Sequence, residues 1–220
     1  MTKRISLYKF NSSMNVEEIS DAMINMRYTE NKSSGFMLVK VNNGLIVAKH
    51  VNEIIVEREV VSPFGDVEVD VVKDYLINEF EIRGNLLKVI DATKNLSSLR
   101  NDLSKALSYK CSISFPNINL NELAKVITQD NDDVSIVSID AFSRDIIPQT
   151  TIKMSMSSNS DLLTRMKNKF GDSTFEIRRL TLNIRNKGKI EISYRGGIKV
   201  LESENELNFY HEELSRFLKW

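Results

Sequence analysis

Three turn signals set between alternating apolar runs constrain this chain most. Asn42-Asn43-Gly44, Ser62-Pro63-Phe64-Gly65-Asp66 and Asn186-Lys187-Gly188 each separate two stretches rich in β-branched residues. Asn and Gly tolerate positive φ, and Pro and Asp favour tight turns, so runs joined this way close into hairpins. Phe36–Val41 and Leu45–Lys49 flank the first signal. Glu53–Val61 and Val67–Val72 flank the second, with Val67, Val69 and Val71 on one side and Glu68 and Asp70 on the other. Phe175–Lys199 contains the third. There Ile177, Leu182, Ile184, Ile190 and Ile192 alternate roughly with cations, as a strand half-buried on one face requires.

Ile5–Phe10, Leu86–Asp91, Lys110–Pro116 and Val134–Phe142 read as further strands, and Lys73–Arg83 as extended chain. Ile146–Met156 is predicted to be an edge or bulged strand, because Pro148 cannot donate to a ladder. Helical spacing predicts Val16–Met26, Asn95–Leu107, Leu120–Thr128, Asp161–Lys169 and Glu204–Leu218. Asn15, Asn119 and Ser203 stand where N-caps belong, and Glu17, Glu18, Glu122, Glu204 and Glu206 fall in first turns. Hairpins outnumber crossovers. The expected class is therefore α+β, with mainly antiparallel sheets, about five helices and two halves packed together. Residues 1–91 are expected to form an N-terminal antiparallel β-rich half with one helix. Residues 92–220 are expected to form a C-terminal α+β half with a basic helix and hairpin.

Hydrophobic residues make up 41% and charged residues 27% of the 220, an ordinary globular balance. The single cysteine, Cys111, cannot close an intrachain disulfide, which fits a reducing cytoplasm as the expected location. MTKRISLYKF has no apolar core for a signal peptide, and no apolar run is long enough for a membrane span, so no membrane partner is expected.

The net charge of zero hides an asymmetry. Glu53–Glu81 carries nine carboxylates and two cations, whereas Leu162–Lys199 carries ten cations and three carboxylates. Opposite fields of this kind suit head-to-tail association of subunits, or a polyanion site whose orientation the acidic remainder sets. Mutual neutralisation across one sheet would produce the same count.

Catalytic signatures are scarce. His50 and His211 lack metal-ligand spacing and read as surface or partly buried histidines, and Cys111 reads as a small buried hydrophobe. No Gly-x-Ser-x-Gly occurs, and Gly196-Gly197 precedes a strand without a following Lys-Ser/Thr. Asp66, Glu68 and Asp70 with Lys73 are the best local set for a metal-dependent nuclease, which needs clustered carboxylates and a lysine. The same run reads equally as the solvated side of a strand. No cofactor is expected.

The cations of the C-terminal half suit phosphates better. Arg165, Lys167 and Lys169 lie on the basic helix. Arg178, Arg179, Arg185, Lys187, Lys189, Arg195 and Lys199 lie on or beside the hairpin, with Tyr194 available for stacking. No base-reading motif accompanies them, so contacts to the backbone with little sequence preference are expected. Exposed lysines and arginines also discourage edge pairing, which is the plain structural reading of the same residues.

From Leu86 onward the order of segments is LLKVIDA, a helix, CSISFP, a short helix, VSIVSIDAF, TTIKMSM, SDLLTRMKNKF and FEIRRLTLNIRNKGKIEISYRGGIKVLES. In that order, over roughly the C-terminal two-thirds, the chain resembles the RdgC-like, phage RexA-like family of DNA-binding proteins. The resemblance implies sequence-independent duplex DNA binding through a positively charged inner surface of a dimer. Only the basic helix and hairpin carry over to this chain. The expected function is a non-enzymatic, sequence-independent DNA-binding protein, a subunit of a prokaryotic antiviral defence or recombination-related system. Its partners would be the DNA phosphate backbone and either a second copy or the other subunits of a hetero-complex. A protein-interaction subunit and a metal-dependent nuclease are the alternatives.

Overall fold

The computed structural model describes residues 4–91, 96–130, 133–143, 149–159, 161–170, 175–186 and 188–200. Eleven strands hydrogen-bond into a single sheet, and the described residues hold four helices of 9 to 11 residues. This corrects the expectation of several sheets with about five helices. Long alternating strands commit most of the chain to ladders, leaving only short amphipathic segments for helices. The helix expected at Glu204–Leu218, with its Ser203 cap and His211, lies outside the described residues.

The chain divides into two compact units, Lys9–Ser114 and Met1–Tyr8 with Phe115–Trp220. The first strand, β1 (Arg4–Ser12), contributes to both.

In the unit Lys9–Ser114, α1 (Val16–Asn25) begins in a full capping box. Asn15 Oδ1 accepts from Glu18 N at 2.9 Å, and Glu18 Oε2 accepts from Asn15 N at 2.8 Å. Four strands follow: β2 (Ser34–Asn42), β3 (Leu45–Val61), β4 (Val67–Arg83) and β5 (Leu86–Ile90). After α2 (Ser97–Ala106), the short β6 (Cys111–Ser114) pairs with the second half of β1, Lys9–Ser12. Gly44, with φ +82°, makes the β2–β3 turn that Asn42-Asn43-Gly44 predicts. Gly35 has a different reason to be glycine. A Cβ there would stand 2.6 Å from the Tyr28 backbone nitrogen, where the chain crosses itself through Phe36 and Met26. The core gathers Phe36, Ile46, Ala48, Phe80, Ile82, Leu87 and Val89 under Met23, Leu99 and Leu103.

Leu45–Lys49 and Glu53–Val61, expected as separate strands, join into β3. Val67–Val72 and Lys73–Arg83 likewise join into β4. Each merged strand is 17 residues long. No Gly or Pro interrupts either seam, so the ladder runs on through His50 and Lys73. β2 stops pairing with β3 at Asn52, and β5 stops pairing with β4 at Glu79. Beyond those points Ile54–Val61 and Val67–Asp74 pair with each other and form a two-stranded arm.

His50 does not lie at the surface. It is fully buried against Phe36 and donates from Nε2 to Asp102 Oδ2 of α2 at 2.9 Å. The bond ties α2 to the sheet, while Nδ1 is buried without a partner among the described residues.

The unit Met1–Tyr8 with Phe115–Trp220 contains α3 (Leu120–Asp130), β7 (Val134–Ser143), β8 (Ile152–Ser157), α4 (Leu162–Phe170), β9 (Glu176–Ile184), β10 (Gly188–Ser193) and β11 (Gly197–Val200). Its strands run in the order β1-β11-β10-β9-β7-β8, with antiparallel ladders. Of the edge strand expected over Ile146–Met156, β8 supplies the second half, and Pro148 lies outside the described residues. Ile136, Ile139, Leu180, Leu182, Ile190 and Ile192 bury one face. α3 packs on β7 and β9, and α4 packs on β7. Asn119 caps α3 as expected, accepting from Glu122 N at 3.2 Å. Asn121 then clamps the start of β9, donating to Phe175 O and accepting from Ile177 N.

Replacing Asp102 with alanine strands the buried imidazole donor of His50. A loss of about 1–3 kcal/mol is expected, read as a lower midpoint in urea denaturation.

Candidate nucleic-acid interface

Register decides which cations of the hairpin are available. Arg179 lies opposite Asp140 of β7, and its guanidinium is 3.7 Å from both Asp140 and Glu191. Arg185 is 3.7 Å from Asp133. Lys199 is in register with Glu191. On this face of the sheet, cations therefore alternate with carboxylates across neighbouring strands. Lys189 lines a shallow depression of about 500 Å³ on β7–β10, together with Ser138, Ser157, Thr181 and Asn183.

Two of the expected cations come together elsewhere. The β7–β9 ladder slips between Asp140 and Ala141, whose partners are Arg179 and Ile177. Arg178 is the extra residue of that bulge, and a bulge re-aims the side chain it carries. Its guanidinium stands 4.2 Å from the Tyr194 ring centroid and 5.6 Å from that of Phe142. Glu176 accepts from it at 2.7 Å, and its Nε is buried without a partner among the described residues.

The β10–β11 turn brings the second cation. Arg195 lies 5.4 Å from the ring centroids of both Tyr194 and Phe115, and its Nε donates to Tyr194 Oη at 2.8 Å. Gly196 makes this turn possible. Its φ is +84°, and a Cβ would meet Leu7 O at 2.6 Å and Pro116 Cγ at 2.7 Å. The main chain of Tyr194 is held on both sides, its N–H donating to Arg178 O and its carbonyl accepting from Ile118 N.

Lys153 of β8 completes the group, 5.6 Å from the Phe142 centroid. Three cations are thus linked through the rings of Phe142, Tyr194 and Phe115, and one of them, Arg178, is paired with Glu176. A guanidinium stacked by its face keeps its in-plane N–H edge for a phosphate, and the ring beneath limits its rotamers. Phe115 is 48% exposed and offers a stacking surface.

Among the expected cations, Arg165 and Lys169 are exposed on α4, and Lys167 lies on the same helix. Lys187 lies outside the described residues. Sequence reasoning missed Lys153, Phe115 and Phe142. Their only sequence signal is an aromatic or lysine near a strand end.

The acidic set does not converge. Glu68 and Asp70 share one face of β4, whereas Lys73 points to the other and pairs with Glu53 at 2.9 Å. That bond also raises the lysine's pKa. Asp66 accepts from Ser62 Oγ in the turn. Among the described residues no group of three or more His, Cys, Asp or Glu side chains is placed to hold a metal ion. Burial raises the Cys111 thiol pKa, with a smaller opposing effect from Ser104. Among the described residues no helix is long and apolar enough to cross a membrane.

No protein-family model matches the chain, and no curated protein matches it either.

Two outcomes test this geometry. Gly196→Ala forces a side chain into a left-handed position against backbone, so a loss of roughly 1–3 kcal/mol is expected in chemical denaturation. A raised thiol pKa leaves less thiolate at any given pH. Cys111 in the folded protein should therefore react with iodoacetamide more slowly than free cysteine at neutral pH, and unfolding in urea should restore the ordinary rate.

Proposed function

We propose that this protein binds the sugar–phosphate backbone of nucleic acid through Lys153, Arg178 and Arg195, as a non-enzymatic binding protein with little sequence preference. The observation that supports this reading most is the gathering of Arg178 and Arg195 at Tyr194, 4.2 and 5.4 Å from its ring centroid. It holds two guanidinium groups at one ring before any ligand arrives, which reduces the ordering cost of binding. Duplex DNA is the proposed ligand. The resemblance of the segment order to the RdgC-like family points the same way.

The expected signature is electrostatic. Affinity for a random-sequence duplex should fall with salt, with a slope near −2.7 in log–log form for about three phosphate contacts. Lys153→Glu with Arg195→Glu, both exposed positions, should weaken binding roughly tenfold or more and flatten that slope by about two. Arg185→Glu should change affinity much less, because Arg185 lies outside the ring-linked group of cations and stands 3.7 Å from Asp133. Fluorescence anisotropy across salt reads all three. Absence of binding at low salt, or equal damage from Arg185→Glu, would overturn the proposal.

A further inference from the structure

The β3–β4 arm has no cover of its own among the described residues. Its register places Ile55, Val61, Val67, Val69 and Val71 on one face, each between 56% and 68% exposed. Glu57 and Glu59 share that face, opposite Val71 and Val69. Phe64 stands at the tip, 93% exposed. A two-stranded ribbon is marginal in water by itself, and an open apolar edge invites pairing. Each strand of the arm, eight residues long, reaches about 26 Å. From Ile54 to Asp74 it carries six carboxylates and two cations, net −4.

We propose that this arm docks on the cation–aromatic corner of a second copy of the chain, joining copies head to tail. Charge complementarity selects that occupant. The corner presents three cations along the rings of Phe142, Tyr194 and Phe115 with one carboxylate, Glu176, paired to Arg178, and it exposes the Phe115 ring. The arm presents carboxylates beside aliphatic side chains, so acid can meet guanidinium while Val69 and Phe64 meet aromatic surface. Two arms placed face to face would instead set net −4 against net −4. Because the patches differ, the contact is heterologous. The arm also occupies the groups proposed to hold phosphate, so nucleic acid and a second copy compete for one corner. The inference shares that corner with the proposed function, but self-association is measured without nucleic acid, so either reading can fail while the other stands.

Sedimentation velocity of the full chain, across concentration and ionic strength, tests it. Association is expected at low salt and should weaken as the screening length falls from about 10 Å at 0.1 M to about 3 Å at 1 M. Glu57→Lys with Glu59→Lys should weaken association roughly tenfold or more while duplex binding persists. Lys153→Glu with Arg195→Glu should also abolish it. Mixing the two double variants sets an intact arm against an intact corner and a charge-reversed arm against a charge-reversed corner, both complementary, so association is expected to return. All four substituted positions are exposed, and circular dichroism checks that each variant is folded. Association strengthened by salt would point to arm-to-arm pairing and overturn the proposal. A monomer at every concentration, or a mixture that stays monomeric, would overturn it too.

Discussion

Seventeen consecutive residue pairs hold β3 to β4 without a register shift. Main-chain pairing of that length fixes the face of every side chain by parity, because one slipped residue would exchange the two faces. The even-numbered positions Ile46, Ala48, Phe80 and Ile82 enter the core, and the opposite parity carries Val67, Val69 and Val71 out along the arm. A single ladder therefore anchors a hydrophobic core at one end and exposes a hydrophobic stripe at the other. The base of the arm is fastened by Tyr75 against Tyr28 and by Lys73 to Glu53.

The β7–β9 ladder works by the opposite means. It slips twice, between Ile136 and Ser138 and between Asp140 and Ala141. The second slip separates Arg178 from the alternation that pairs Arg179 with Asp140 and Glu191. Two adjacent arginines thus meet different fates. Arg179 stands between carboxylates on both neighbouring strands, and Arg178 is turned onto aromatic rings and paired with Glu176 of its own strand. A regular strand would have given these cations opposite faces of the sheet but no reason to stack.

Much of the fold was legible because its signals are local. The turn at Asn42-Asn43-Gly44, the Asn15 and Asn119 caps and the alternation of β9 and β10 depend on residues a few positions apart. The merging of Glu53–Val61 into β3 was less legible, since an uninterrupted apolar–polar alternation has no mark where a strand must end. The candidate site was legible only in part. Arg178 and Arg195 were visible as cations and Tyr194 as a ring available to them, but Phe142 and Phe115 arrive from segments distant in sequence. The pairing of Arg185 with Asp133 and the His50–Asp102 bond span 52 residues in each case, and no local pattern encodes either.

A count of cations along a segment therefore overstates its attraction for a polyanion. What matters is how many positive groups keep an open donor edge once the sheet has assigned their neighbours. Arg179 and Arg185 each stand 3.7 Å from carboxylates of their own unit, and Arg178 gives part of its edge to Glu176 at 2.7 Å. Arg195 commits one N–H to a neutral phenol, which does nothing to cancel its charge. A similar distinction applies to the acids. Glu53 is matched by Lys73 across the ladder, but Glu57 and Glu59 farther along the same strand stand opposite valines. Positive charge stacked on aromatic rings and negative charge set beside valines are chemically matched remainders. Each remainder is local in origin. The bulge in β9 takes Arg178 away from the carboxylates of its neighbouring strands, and the unbroken register of β3 gives Glu57 and Glu59 no cation to face.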